Sequence, residues 1–162
     1  MRVIVLCQAY NEALFIDKAL TWIYPLVDRI VVTEGCLTPH GRQSPHSTDH
    51  TAQRIADTIT RIDKIDKITI APVYRPNFVP GSREAFEGLN KNYMLQLAQP
   101  EHGDLIFILD CDEFWQPERF TNIVEQFRLN DRLEHVPVEE FQFAYNLRLA
   151  FNAEHNGRIP LS

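Results

Sequence analysis

"RVIVLCQAYNEALFIDKALTWIYPLVDRIVVTEG", residues 2 to 35, decides the fold class. Residues 2 to 7 are a short, continuous apolar run bounded by polar residues, the form taken by a strand buried on both faces. Leu14, Phe15, Lys18, Ala19, Trp22 and Ile23 then recur at helical spacing, with Asn11 as the N-cap and Pro25 ending the helix. "DRIVVTEG" is a second buried strand, closed by Gly35. A strand, a helix and a strand in succession form a βαβ unit, whose strands lie parallel with a right-handed crossover.

The pattern continues outward from there. "STDHTAQRIADTITRI" opens on a Ser/Thr/Asp cluster and predicts a second helix, and "DKITIAPV" repeats the strand pattern. A third helix is expected from about Arg83 to Gln99, followed by the fourth strand "DLIFIL". Pro117 stands where a first-turn proline belongs, ahead of "ERFTNIVEQFRLN". "HVPVEEFQFAYNLRL" alternates in the manner of an edge or mixed-direction strand. The expected fold is α/β, with a mostly parallel sheet in a single compact domain spanning residues 1 to 162.

Composition supports a globular core and excludes several functions. The chain is 44% hydrophobic with ten Phe. Its formal charge is -6 and its 16 basic residues are scattered, so it carries no nucleic-acid footprint. No stretch approaches the ~20 apolar residues that cross a bilayer, and the N-terminus lacks the pattern of a secretory signal. Three cysteines without CxxC spacing point to reduced thiols and a cytoplasmic setting. The loop "GCLTPHGRQSPHSTDH" holds Cys36, His40, His46 and His50, yet their spacing matches no compact zinc motif.

In parallel α/β sheets ligands bind at the carboxyl ends of the strands, near a topological switch point. Those ends carry "CQAYNE", "TEGC", "APVYRP" and "DCDEF". Asp110 and Asp112 are two apart, so an extended backbone turns both carboxylates to one side. Two like charges that close resist joint ionisation unless a cation lies beside them. Hard oxygen ligands favour Mg²⁺ or Mn²⁺, and a site with one or two carboxylates completes its shell with water and phosphate. A plainer alternative is that the acids decorate the helix starting near Pro117, worth roughly 0.3–1 kcal/mol. Tyr10 offers a face for stacking on a base, a contact worth about 1–3 kcal/mol in nucleic-acid systems, and Glu34 an acceptor for a ring N–H. Each also has an ordinary reading, Tyr10 as a core aromatic and Glu34 as a solvated strand end. GxGxxG, GxxxxGK[ST] and GxSxG are all absent, so dinucleotide, P-loop and hydrolase chemistry lack their motifs.

These residues resemble family 2 glycosyltransferases of the GT-A fold. "VIVLCQAYNEALFIDKAL" is similar to the family's first strand and its tyrosine, Asn-Glu turn. "IVVTEG" with "STDHTAQRI" resembles its second strand and Ser-x-Asp-Gly-Thr helix start, and "NKNYMLQLAQPEHGDLIFILDCDEF" resembles the Arg-Asn pair, helix and DxD strand. The likeness runs from residue 2 to about 115 in the family's order. It implies a Rossmann-like, three-layer α/β/α sandwich and transfer of a sugar from a nucleoside-diphosphate sugar, with a UDP-sugar favoured, to a carbohydrate, lipid or protein hydroxyl. Tyr10 would lie against the base, Ala9 would contribute backbone contacts, Glu12 would lie near the nucleoside and Glu34 would bind the base edge. Lys91 and Asn92 would approach the donor. Asp110 would hold the ribose or a water on the metal, Asp112 would ligate Mn²⁺ or Mg²⁺, and Cys111 between them would line the donor site.

The chain departs from the family in places: Thr33-Glu34 stands for two aspartates, His50 for glycine and Lys91 for arginine, whose bidentate fork is lost. The resemblance also implies that the chain is the donor-binding portion, cut short of the acceptor side. An inverting enzyme needs a base, and Glu139 and Glu140 are the late acids in a strand-like setting. Two alternatives stay open: a non-catalytic or fragmentary nucleotide-sugar-binding module, and a sugar nucleotidyltransferase.

Overall fold

The structure, a computed structural model, describes residues 1–35, 46–72, 83–129, 140–143, 150–154 and 157–158. The chain separates into two compact units, Met1–Cys111 and Asp112–Ser162.

The first unit is a four-stranded, all-parallel sheet flanked by helices, a Rossmann-like α/β fold. Its elements in chain order are β1 (Val3–Ala9), α1 (Ile16–Ile23), β2 (Arg29–Glu34), α2 (Thr51–Ile62), β3 (Ile68–Pro72), α3 (Arg83–Ala98) and β4 (Leu105–Asp110), with a 3₁₀ turn over Tyr24–Leu26. The strand order is β3-β2-β1-β4. The chain thus steps outward from β1 through α1 and α2, then returns through α3 to the other side of β1. Right-handed crossovers in opposite directions place α1 and α2 on one face and α3 on the other. Ile4 and Leu6 of β1, Val31 of β2 and Ala71 of β3 accordingly meet Met94 and Ala98 of α3 in one buried cluster. The alternate residues Val3, Val5 and Cys7 point to the opposite face and are equally buried.

Three expectations change in detail. The first helix begins at Ile16 rather than near Asn11, and its N-cap is Phe15. Asn11 instead takes a left-handed backbone (φ 59°) and binds Thr48 with its side chain. The buried stripe of α1 is therefore Ile16, Ala19, Leu20 and Ile23, with Leu14 61% exposed. Pro25 lies within the 3₁₀ turn that follows the helix. Among the described residues β4 is the end strand of the sheet, paired with β1, and its Ile108 is 52% exposed.

Polar ties close the amino end of the sheet. Asp104, its side chain 5% exposed, accepts from the Arg2 backbone N–H (2.9 Å), the Arg2 guanidinium (2.6 and 3.0 Å) and the Glu101 N–H (2.8 Å). Asp63 binds the Lys67 and Ile68 amides and the Tyr24 hydroxyl, which fixes the turn into β3. Asp17 of α1 accepts from Thr58 and Arg61 of α2 and joins the two helices.

In the second unit α4 spans Pro117–Leu129, with Pro117 at its first turn as the sequence predicts. Trp115 packs edge-on to the buried Phe120 at 6.2 Å between ring centroids. The late strand is β5 (Glu140–Phe143), antiparallel to β6 (Ala150–Glu154), which pairs with β7 (Gly157–Arg158). No helix among the described residues is long and apolar enough to cross a membrane.

Candidate functional site

The switch point of this sheet lies between β1 and β4, because the helices that follow and precede them leave on opposite faces. Ligand-binding chemistry is therefore expected where β1, β2 and β4 end. In register, Ala9 is beside Glu34 on one side, and Gln8 is beside Asp110 on the other. Neighbouring strands are about 4.8 Å apart, so Glu34 and Asp110 stand roughly two strand spacings apart with Tyr10 emerging between them. Sequence reasoning chose all three, and the fold sets them on three adjacent strand ends.

Ala9 is buried, and its carbonyl accepts the Gly35 N–H (2.8 Å), which ties the ends of β1 and β2. Gly35 is at φ 121°, a conformation that glycine adopts without the Cβ penalty. Tyr10 and Glu12 are half-buried. The Glu12 carbonyl accepts from the Phe15 and Ile16 amides, so it starts α1 through its backbone.

The loop after β1 is held by the segment that opens α2. The Asn11 N–H donates to the Ser47 hydroxyl (2.9 Å), and the Thr48 N–H donates back to Asn11 Oδ1 (2.8 Å). The Glu12 N–H donates to Thr51 Oγ1 (2.8 Å) and the Ala13 N–H to Asp49 (3.0 Å). Asp49 in turn accepts the Thr51 hydroxyl (2.5 Å) and amide (3.2 Å). Burial alone would raise the Asp49 carboxyl, but the bonds from Thr51 and Ala13 outweigh it and hold the group below its ordinary value. His50 is the N-cap of α2 at φ 53°, so the position where the family resemblance has glycine is one that disfavours a Cβ.

Asp49→Ala is expected to cost about 1–3 kcal/mol, the range for stripping the acceptor from buried donors. Hydrogen exchange at the Ala13 amide should accelerate at the same time. Denaturant unfolding with amide exchange checks this. Unchanged protection of Ala13 in the variant would contradict the clamp.

Glu34 anchors the same segment. Its side chain is 11% exposed and accepts the Ser47 N–H (2.6 Å) and a bond from His46 Nδ1 (3.0 Å). Burial pushes its carboxyl up, but those partners prevail and hold it below the ordinary glutamate value.

On α3, Lys91 is half-buried and Asn92 exposed. Asn90, which the sequence reading passed over, is the buried polar residue here: its Nδ2 donates to Thr33 Oγ1 (3.3 Å) beside Glu34. The signal was available, since position 90 falls on the same helical stripe as Met94 and Ala98.

Asp110 ends β4 and is exposed, Cys111 is buried, and Asp112, exposed, opens the second unit. The contact with Cys7, with burial second, pushes the Cys111 thiol above its ordinary value. Among the described residues, no group of three or more His, Cys, Asp or Glu side chains converges as a ready-made metal site. Carboxylates as a donor type suit a divalent ion that takes its remaining ligands from water and phosphate. Cys36 and His40 of the histidine-bearing loop, Tyr74 of "APVYRP" and Glu139 lie outside the described residues. Glu140 begins β5, opposite Ala153.

Comparison with protein-family models and with curated proteins finds no match to this chain.

Proposed function

We propose that the chain is a divalent-metal-dependent glycosyltransferase domain that moves a sugar from a nucleoside diphosphate to a hydroxyl acceptor. The observation that carries this reading is the alignment of Tyr10, Glu34 and Asp110 on three neighbouring strand ends at the switch point. Tyr10 stacks on the base and Glu34 accepts an N–H from its edge. Ser47, Asp49 and Thr51 keep the Tyr10–Ala13 loop in place for that contact. Asp110 holds the ribose, and Asp110 and Asp112 would hold Mn²⁺ or Mg²⁺ together with diphosphate oxygens. The ion's contribution is to neutralise charge on the departing diphosphate. An inverting transfer also needs a carboxylate to deprotonate the acceptor, for which Glu139 and Glu140 are the candidates. UDP-sugars are the favoured donors, and the setting is cytoplasmic.

The test is incubation with UDP-, GDP- and dTDP-sugars and Mn²⁺, followed by assay of free nucleoside diphosphate. Release from one donor class, abolished by chelation, is expected. Pyrophosphate release from a nucleoside triphosphate and a sugar phosphate would overturn the reading in favour of a nucleotidyltransferase. Binding without turnover would reduce the domain to a donor-binding module.

A further inference from the structure

Two thiols lie in contact beside the strand ends. Cys7 Sγ of β1 is 3.3 Å from Cys111 Sγ, the residue after β4, and both are reduced. Cys111 Sγ also lies 3.3 Å from the Gln8 carbonyl oxygen. Two S–H protons serve these two contacts, so Cys111 donates to Gln8 and Cys7 donates to Cys111. The residues are 1% and 2% exposed. They are 104 positions apart in sequence but held together by the β1–β4 ladder, in which Cys7 is beside Leu109. Cys111 has left the strand and lies in a turn, so its side chain is less constrained than one within the ladder.

We infer that Cys7 and Cys111 form a modification site, a dithiol that a peroxide closes into a disulfide joining β1 to the end of β4. One sulfur attacks a peroxide oxygen, the O–O bond breaks, and sulfenic acid and water result. The second thiol attacks that sulfur, the S–O bond breaks, the S–S bond forms, and a second water leaves. Two thiols thus lose two hydrogens and two electrons, and the peroxide becomes two waters. The second step needs the sulfurs to close from 3.3 Å to about 2.05 Å. Held in contact, they react as one molecule, so disulfide formation outruns further oxidation to sulfinic acid. At 1% and 2% exposure they are closed to a reagent the size of a glutathione disulfide, so the oxidant in question is a small one.

Native protein and a Cys36→Ser variant are treated with a small excess of hydrogen peroxide, alkylated under denaturing conditions, and peptide-mapped by mass spectrometry. The expected product in both is one linked pair, Cys7 with Cys111. It is lighter than the dithiol by about 2 Da, exceeds sulfinic acid at either position at least about tenfold, and is reversed by a thiol reductant. In Cys111→Ala the link disappears and Cys7 accumulates sulfinic acid instead; if that variant does not fold, the wild-type map decides by itself. Sulfinic acid at Cys7 or Cys111 without the link, a main product involving Cys36, or two thiols still open to alkylation would overturn the proposal. This readout is independent of nucleotide binding.

Discussion

Asp112→Ala is expected to weaken Mn²⁺-dependent binding of a nucleoside diphosphate by at least about 10- to 100-fold, the loss seen when even a residue supporting a metal ligand is removed. The unfolding midpoint should barely move, because Asp112 is exposed and surface substitutions usually stay within about 0.5 kcal/mol. This separation of affinity from stability distinguishes a ligand from a residue that only favours the start of α4. Glu118 already supplies a negative charge to the first turn of that helix, so losing Asp112 costs its dipole little. Titration calorimetry and thermal unfolding of the same sample check both halves. Wild-type affinity in the variant would remove Asp112 from the site.

The largest effect on stability is expected at Asp104. Asp104→Ala strips the acceptor from the Arg2 and Glu101 amides and from the Arg2 guanidinium at the amino end of β1 and β4. Removing the acceptor of a part-buried, charge-assisted set costs about 1.5–3 kcal/mol. The Arg2 guanidinium, with the Glu101 and Arg2 amides behind it, holds the Asp104 carboxyl far below the ordinary aspartate value. A carboxyl whose pKa is depressed by folding contributes its stability in full above the unfolded value, near 3.9, and loses it as pH falls towards the folded value. The stability gap between wild type and Asp104→Asn should thus be full at pH 6 and narrow steadily below about pH 4. Glu34, Asp17, Asp49 and Asp63 are shifted in the same direction, so acid weakens the first unit at several places. Urea unfolding of both proteins across that range is the check, and a gap that widens with acid would contradict the account.

Elements whose signal is local were legible in the sequence. "RVIVLC", "RIVVTE" and "ITIAP" are apolar runs between polar stops, and each became a strand of the parallel sheet. Pro117 marked the first turn of α4. Features set by distant chain segments were not legible. "LIFIL" does not itself tell that its strand lies beside β1, because strand order depends on where α3 returns. The start of α1 moved to Ile16 because residues 11–13 give their amides to residues 47–51, a pairing across more than thirty positions that no periodicity encodes. Within the candidate site, the strand-end rule found Tyr10, Glu34 and Asp110. It could not show that Glu34 already binds Ser47 and His46, or that Cys7 and Cys111 touch.

Titration of the wild-type chain with UDP, GDP and dTDP by calorimetry, in Mn²⁺ and again in EDTA, tests the central claim most directly. The account predicts saturable heat with one of the three, UDP foremost, in Mn²⁺ and its loss in EDTA. Equal affinity in EDTA, or no binding of any of the three in Mn²⁺, would contradict it.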